Sequence, residues 1–261
     1  MANGCDLLIC PYSPLSIPSY NYSMPSLLPK VKQIALDILF PPICILCERH
    51  LNNGEKEKSI CTMCLKSIPV AVVLTCPVCG ARLADNKKTC HKDSGYRLAA
   101  SSSYNNDQVK KLIWRLKYEK KSAAAKPLAL ILETHLRNLA LNISDYHILP
   151  VPLHKNRERE RGFNQAALIA EHLSKKISLP VIKGGFIRTK DTEPQAESKN
   201  FEAREKNVLG SFQITNPEFI KGKNIILLDD VFTSGSTMNE AVEALKTEGA
   251  AKILALVVAK V

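Results

Sequence analysis

The sequence predicts an α/β protein in which a small cysteine-rich module precedes a parallel β-sheet with helices on both faces. Three features predict this architecture. Cysteines are paired within residues 44–90, strand and helix patterns alternate from residue 97 onward, and an apolar run at residues 225–228 ends in two adjacent acidic residues. Alternating strands and helices favour a parallel sheet, because each connecting helix packs onto a face of that sheet.

The 261 residues are enough for one large domain and one small domain. We predict a leader over residues 1–30, a helix plus the cysteine module over residues 31–95, and the α/β domain over residues 96–261. Asp6 is the one charged residue before residue 30, and the basic start of a secretory signal is missing. We therefore expect the leader to be disordered or not native, with Met24 as an alternative start.

Composition narrows the function classes. No apolar run approaches the roughly 18 to 20 residues that span a bilayer, so we expect no membrane span. Without an export signal we expect a reducing cytoplasm, where paired cysteines indicate metal ligands rather than disulfides. The net charge of +11 favours an anionic partner, such as a phosphorylated substrate, nucleic acid or a membrane surface.

The first two Cys-x2-Cys pairs, thirteen residues apart, predict a tetrahedral zinc site. Four thiolates would close the coordination shell, which indicates a structural metal rather than a catalytic one. The segment is too short for a hydrophobic core of its own, so the metal would supply folding energy. The predicted ligands are Cys44, Cys47, Cys61 and Cys64.

A second zinc site is predicted at Cys76, Cys79 and Cys90, and its fourth ligand stays open. His91 is the softer ligand chemically, whereas Asp93 is easier to reach because adjacent residues seldom both contact one ion. Two other interpretations also remain: this half lacks a metal, or the first cysteine pair shares an ion with the third.

Apolar spacing predicts the elements that follow. A strand over residues 97–104 comes first. The helical spacing of Val109, Leu112, Ile113 and Leu116 then predicts a helix over residues 106–118, and a longer helical stripe predicts one over residues 123–141. The remaining predicted elements are strands at 146–150, 181–189, 225–229 and 253–259, and helices at 166–176 and 239–248.

Basic residues crowd the first of these helices, with Trp114 and Tyr118 among them. One interpretation is a groove for a nucleic-acid backbone, with the aromatic rings available for stacking on bases. The other is a solvated helix face with Trp114 packed inward, which we favour for Trp114 because aromatic rings mostly serve cores. The candidate nucleic-acid residues are Lys110, Lys111, Arg115 and Lys117.

Two loops after predicted strands suit phosphate groups. Residues 151–155 follow a strand, and a basic segment with a flexible glycine leads from them into a helix, so arginines there can clamp a pyrophosphate. Residues 225–228 deliver Asp229 and Asp230 to a hydroxyl-rich loop before another helix. The carboxylates can accept hydrogen bonds from a ribose diol, while loop amides and hydroxyls at a helix N-terminus favour a phosphate. The candidate phosphate ligands are Val151, Pro152, Leu153, His154, Lys155, Thr233, Ser234, Gly235, Ser236 and Thr237.

The second loop resembles the 5-phosphoribosyl-1-pyrophosphate (PRPP) motif of type I phosphoribosyltransferases. Residues 35–261 resemble the ComF (ComFC/GntX) family of competence-associated phosphoribosyltransferase-like proteins. That resemblance rests on the paired cysteines after Phe40-Pro41-Pro42 and on four motifs: Leu116-Lys117-Tyr118, Val151-Pro152-Leu153-His154, residues 159–165 and residues 228–237. Asp93 stands where the family commonly has its last cysteine.

The resemblance implies a type I phosphoribosyltransferase-like domain behind a zinc ribbon. Residues 151–155 would then be the pyrophosphate loop, residues 157–165 a mobile loop closing over PRPP, and residues 229–237 the ribose-5-phosphate loop. Magnesium would accompany PRPP, and the candidate catalytic residues are Asp229, Asp230 and Arg161. Implied partners are single-stranded DNA and a competence helicase or other transformation proteins. The open question is whether the chain transfers phosphoribosyl to an acceptor or handles DNA with the PRPP pocket kept as a sensor or scaffold.

Overall fold

A computed structural model describes residues 37, 39, 41–84, 90–91, 94–191 and 210–261. The chain divides into two units, residues 1–41 and residues 42–261. In the first unit Asp37 and Leu39 are helical, and the predicted leader lies outside the described residues. Elements are labelled here from residue 42 onward, and the predicted domain boundary at residue 96 stays a prediction.

The cysteine-rich region contains short elements only. Two helices, α1 (Asn53–Lys56) and α2 (Thr62–Lys66), are followed by the strands β1 (Leu74–Thr75) and β2 (Arg82–Leu83). Asn52 caps α1, where its side chain accepts from the Glu55 amide. Apolar side chains of this region, including Ile60 and Ile68, join the main hydrophobic core.

Longer elements follow, and most agree with the predicted ones. The strands are β3 (Arg97–Ser103), β4 (Tyr146–Pro150), β7 (Asn224–Phe232) and β8 (Lys252–Lys260). The helices are α3 (Asp107–Lys117), α4 (Ala125–Asn138), α5 (Lys155–Arg161), α6 (Gln165–Ile177) and α7 (Ser236–Thr247). Of the helices in the described residues, none is both long and apolar enough to cross a bilayer.

Six strands form the main sheet in the order β2-β1-β3-β8-β7-β4. The last four are parallel, and the short β1 and β2 add an antiparallel edge. Residues 225–228 of the central β7 are all fully buried. A strand that is buried on both faces reads as a continuous apolar run, and this confirms the predicted parallel sheet.

Helices cover both faces of this sheet, as predicted. On one face, Ile226 and Leu228 pack in a core with side chains of α3, α4 and α6. On the other face, Ile225 and Leu227 pack in a second core with side chains of α7. The two cores arise because successive strand residues point to opposite faces of the sheet. Because the strands are parallel, their carboxyl ends lie at the same edge of the sheet, where ligands bind in such folds.

The predicted strand over residues 181–189 is wrong. Gly184 and Gly185 both have positive φ angles, 76° and 75°, which strand residues do not adopt. Val181 makes one bridge to Ile148. After the glycines, β5 (Phe186–Arg188) instead pairs antiparallel with β6 (Phe212–Ile214) in a separate two-stranded sheet.

Part of the predicted mobile loop at residues 157–165 is helical. Helix α5 begins after His154, whose Nδ1 accepts from the Asn156 amide, and it ends at Gly162, where φ is 84°. A glycine in the left-handed region ends a helix without the strain that a Cβ would bring. Gly162 therefore separates the charged helix α5 from helix α6 that follows it.

Candidate metal centres and ligand pocket

The first cysteine cluster is assembled as the spacing predicts. The Sγ atoms of Cys47 and Cys61 are 3.8 Å apart, and all four thiols lie within 4.8 Å of one another. The Leu46 amide donates to Cys44 Sγ and the Cys64 amide to Cys61 Sγ, at 3.5 and 3.3 Å. Burial acts to raise the pKa of Cys61, but that amide and other donors outweigh it and lower the pKa to about 6. The donor set therefore fits zinc, which binds thiolates.

Charged side chains brace this first cluster. Glu55 is buried; it accepts from the Thr62 amide at 2.7 Å and pairs with Arg49 at 2.7 Å. Arg115 of α3 donates to the Ile45 carbonyl, which lies between the first two cysteines. These contacts tie the cluster to helix α3 of the α/β region.

The second cluster takes His91 as its fourth member. His91 Nδ1 lies 3.3 Å from Cys90 Sγ and 3.5 Å from Cys76 Sγ, and Cys79 Sγ lies 3.2 Å from Cys90 Sγ. The nitrogen nearer to Cβ faces the sulfurs, and this lets two adjacent residues reach one centre. Asp93 lies outside the described residues, and the first and third cysteine pairs belong to separate clusters.

The two clusters differ in exposure. In the first, Cys44 and Cys61 are buried. In the second, Cys79, Cys90 and His91 are all exposed. Four ligand atoms close the shell in both, as in a structural zinc site.

An acidic pair stands at the carboxyl end of β7. Asp230 is buried and Asp229 half-buried, and the Asp230 amide donates to Asp229 Oδ1 at 2.8 Å. Burial and the neighbouring Asp230 charge raise the pKa of Asp229 to about 7. The positive charge around the pair therefore does not fully offset its burial and mutual repulsion, and a bound cation or further hydrogen-bond donors would add to that charge.

Lys117, at the end of α3, supplies part of that charge. Its Nζ lies 2.7 Å from Asp230 Oδ1, and both side chains are largely buried, 20% and 10% exposed. Burial acts to lower the pKa of Lys117, but the Asp230 charge raises it above the usual value. The sequence analysis assigned Lys117 to a nucleic-acid surface; its contact with Asp230 joins residues 113 positions apart and left no local signal.

The hydroxyl-rich loop follows the acidic pair directly. Gly235 has a φ of 84°, and a Cβ there would lie 2.8 Å from the Phe232 ring, so glycine is required. Ser234 Oγ and Ser236 Oγ are 2.9 Å apart. Gly235 is the N-cap of α7 and has no side chain to cap it, and the Ser236 amide donates to Ser234 Oγ at 3.4 Å. The first turn of α7, with the hydroxyls beside it, can therefore offer donors to an anion.

Residues 151–155 reach the same edge of the sheet. The Val151 amide donates to the Leu228 carbonyl at 2.9 Å, which extends the pairing of β4 with β7. Pro152, Leu153 and His154 are half-buried, and Lys155 is exposed. The sequence-predicted phosphate ligands therefore come from two adjacent strand ends.

Asp191 is a pocket residue that the sequence analysis missed. Its carboxylate accepts from Asn156 Nδ2 at 2.8 Å and from Arg157 Nε at 3.3 Å, and His154 Nδ1 lies 3.2 Å away. The Asn156 hydrogen bond, followed by the Arg157 contact, lowers the pKa of Asp191. Asp191, which lies outside the basic helix α5, thus holds the side chains of its first turn in position.

A cavity of about 620 Å³ opens between α3 and α5. Arg161 lines it, and its Nη1 donates to Gln165 Oε1 at 2.9 Å. Four cations and two carboxylates line the cavity, an excess that favours an anionic ligand. The lining residues are Lys117, Tyr118, Lys120, Asn156, Arg157, Glu160, Arg161 and Asp191.

Comparison with known families agrees with this geometry. A model of the phosphoribosyl transferase domain matches residues 159–261, and a model of the double zinc ribbon domain matches residues 35–92. The DNA utilization protein YhgH of Shigella flexneri is 28% identical over 222 residues, 82% of this chain and 94% of that protein. The competence protein ComFC of Bacillus subtilis is 27% identical over 229 residues, 80% of this chain and 90% of that protein.

The chain is thus similar to proteins named competence protein ComFC and DNA utilization protein YhgH, and it carries a phosphoribosyl transferase domain. Competence protein F of Haemophilus influenzae is a further relative, 27% identical over 223 residues, 80% of this chain and 93% of its own. The predicted recognition and fold class, a phosphoribosyltransferase-like sheet behind a zinc ribbon, are confirmed.

The four candidate nucleic-acid residues do not share one surface. Lys111 Nζ donates to the Leu46 carbonyl at 3.0 Å, and Arg115 is buried against the first cysteine cluster. Lys117 lies in the pocket. Lys110 and Lys111 are both exposed, and the Nζ of Lys110 lies 6.0 Å from the Tyr104 ring centre.

The favoured inward position of Trp114 is wrong. Trp114 is 50% exposed and Tyr118 is 61% exposed, and their ring centres are 5.9 Å apart. The buried stripe of α3 (Val109, Leu112, Ile113 and Leu116) occupies the inward face. Trp114 follows Ile113 by about 100° around the helix, and this turns its ring toward solvent.

Proposed function

We propose that the chain binds PRPP with Mg²⁺ at the carboxyl end of β7 and transfers its phosphoribosyl group to an acceptor. The supporting observation is the juxtaposition at this strand end. Two carboxylates at the end of β7 are followed by the hydroxyl-rich loop and the glycine-capped N-terminus of α7, beside a cavity with excess positive charge. A sugar phosphate carries the diol and the anion that such a site would take.

Each part of PRPP has candidate partners. The 5-phosphate would lie on the loop of Thr233, Ser234, Gly235, Ser236 and Thr237, where amides and hydroxyls converge. The ribose diol would donate to Asp229 and Asp230. The pyrophosphate would face residues 151–155 and Arg161, whose fork of donors suits a doubly charged oxyanion.

The acidic pair fits magnesium, because oxygen donors are the ligands that Mg²⁺ takes. Asp229 and Asp230 would hold it, directly or through water. When bound, the ion supplies positive charge that offsets the pyrophosphate. The chain's own residues would then act by positioning and charge stabilisation: Asp229 and Asp230 orient the ribose, and Arg161 stabilises the departing pyrophosphate.

The family relationship suggests the setting. Relatives carry the names competence protein and DNA utilization protein, and we propose a role in natural transformation. A reducing cytoplasm, where thiols remain available to zinc, is the compartment we propose.

Calorimetric titration of PRPP with Mg²⁺ into the zinc-loaded protein tests the proposal. We expect binding by wild type and at least a tenfold loss in the Asp229→Asn/Asp230→Asn variant, with Asp107→Asn as an exposed control. Absence of binding by wild type, or equal binding by the double variant, would contradict the proposal. Pyrophosphate release that needs both aspartates would mark an enzyme rather than a sensor.

A second candidate function is handling of single-stranded DNA, favoured by the exposed Trp114–Tyr118 pair. Neighbouring aromatic rings can stack on bases, at about 1 to 3 kcal/mol per base. Exposed Lys110 on the same helix can contact a phosphate. We expect Trp114→Ala/Tyr118→Ala to weaken DNA binding, and Lys110→Met to reduce the salt slope by about one phosphate contact. Unchanged affinity and slope would remove this candidate.

A further inference from the structure

We infer that Lys117 is a ligand-binding residue of the pocket, which holds Asp230 and donates to the pyrophosphate of bound PRPP. This rests on the proposed function and adds a residue from a different element. Neither the acidic motif nor the basic loop contains it.

The position of Lys117 supports a ligand contact. Its side chain lines the 620 Å³ cavity together with Arg157 and Arg161, while its Nζ stays 2.7 Å from Asp230. Lysine thus stands where the acidic pair meets the basic wall of the cavity. Of the other three lining cations, two already donate to side chains, Arg157 to Asp191 and Arg161 to Gln165, and Lys120 is the third.

The chemistry of lysine allows both contacts together. An ammonium has three donors, so one can remain on Asp230 while two turn to a ligand. Its flexible four-carbon stem needs only a small rotation for this. A planar guanidinium at the same point would have less freedom.

The chemistry of PRPP places the pyrophosphate within reach. Its pyrophosphate is on C1, the neighbour of the C2 carbon whose hydroxyl would donate to the acidic pair. A cation bonded to one carboxylate of that pair therefore lies close to the leaving group. Lys117 would keep Asp230 as a charged acceptor for the ribose and neutralise the pyrophosphate with the same group.

Inorganic pyrophosphate with Mg²⁺ is the direct probe, titrated by calorimetry. Lys117→Met alone leaves Asp230 as an uncompensated buried charge and can unfold the protein. The decisive pair is therefore Asp230→Asn against Lys117→Met/Asp230→Asn, which differ only in the lysine. Lys252→Met is the control, since Lys252 is exposed at the start of β8, the opposite edge of the sheet.

Whatever Asp230→Asn itself costs, we expect Lys117→Met/Asp230→Asn to bind pyrophosphate at least tenfold more weakly than Asp230→Asn does. Ribose 5-phosphate, which lacks the pyrophosphate, should bind the two variants equally. Equal pyrophosphate affinity in both variants, with wild type binding PRPP, would overturn the inference alone. If wild type binds neither PRPP nor pyrophosphate, the proposed function fails and this inference with it.

Discussion

Helix α3 carries basic side chains that contact two regions of the molecule, and their partners differ between the two regions. On the cysteine side, Lys111 and Arg115 donate to the carbonyls of Leu46 and Ile45. On the pocket side, Lys117 pairs with the Asp230 carboxylate at the wall of a cavity. Three residues that look alike in the sequence therefore have different partners.

The partners decide what each cation can do. A buried carbonyl needs its donor permanently, because losing that donor costs about 1 to 3 kcal/mol. A carboxylate that borders a cavity can share its cation with a ligand. The cysteine side should thus respond to mutation mainly in stability, and the pocket side mainly in ligand binding and pH dependence.

The largest expected effect lies on the cysteine side. Cys61→Ser removes a buried ligand of the first cluster, and zinc contributes about 10 to 16 kcal/mol to the folding of such sites. We expect the variant to lose one zinc ion, measured by native mass spectrometry, and its cooperative unfolding transition, measured by thermal melting. Cys79→Ser, in the exposed second cluster, should lose one zinc ion but keep the main unfolding transition. Equal effects would break the comparison between the more buried first cluster and the more exposed second cluster.

The second effect lies on the pocket side and depends on pH. The pKa of Asp229 is about 7 in the folded chain and about 3.9 in an unfolded chain. Because the folded state binds the proton more tightly, the free energy of unfolding falls by up to about 4 kcal/mol as pH rises from about 4 to 7. It is level above about pH 7. Asp229→Asn should be more stable than wild type, with a gain that grows from pH 5.5 to 7.5.

Denaturant unfolding at saturating zinc checks this pH dependence. Asp107→Asn, an exposed carboxylate in the first turn of α3, should show no growing gain. A gain for Asp229→Asn that stays level from pH 5.5 to 7.5 would show that Asp229 is already ionised in the folded chain over this range, and would remove the proposed need for added positive charge.

The smallest expected effect also concerns the cysteine side, where Arg115 donates to a buried carbonyl. Arg115→Met leaves the Ile45 carbonyl without its donor, at a cost of about 1 to 3 kcal/mol. Arg137→Met removes an exposed pair with Glu133 on α4 and should cost at most about 1 kcal/mol. Chemical denaturation measures both. If Arg115→Met lowers the free energy of unfolding no more than Arg137→Met does, the contact of Arg115 with the Ile45 carbonyl does not stabilise the protein.

Much of this architecture could be predicted from sequence because its signals are local. Cysteine spacing predicts the first cluster, and the apolar run before Asp229 predicts a central strand. Long-range contacts carry no such signal: the Lys117–Asp230 pair joins residues 113 positions apart. Asp191 likewise became visible only through the chain fold, and the fold brings His91, one of the two candidate fourth ligands, into the second cluster.

Two errors had signals that were available. The adjacent glycines at 184 and 185 interrupt the strand pattern, and the predicted strand breaks at them. The phase of the α3 stripe, read through Leu112 and Leu116, already turns Trp114 away from the core. Apolar periodicity decides the face of a residue better than its type does.

A structure of the zinc-loaded chain with Mg²⁺ and PRPP would test the central claim most directly. The account predicts the ribose diol on Asp229 and Asp230, the 5-phosphate at the start of α7, and the pyrophosphate beside Lys117. PRPP bound elsewhere, or a pocket left unchanged at saturating PRPP, would contradict it.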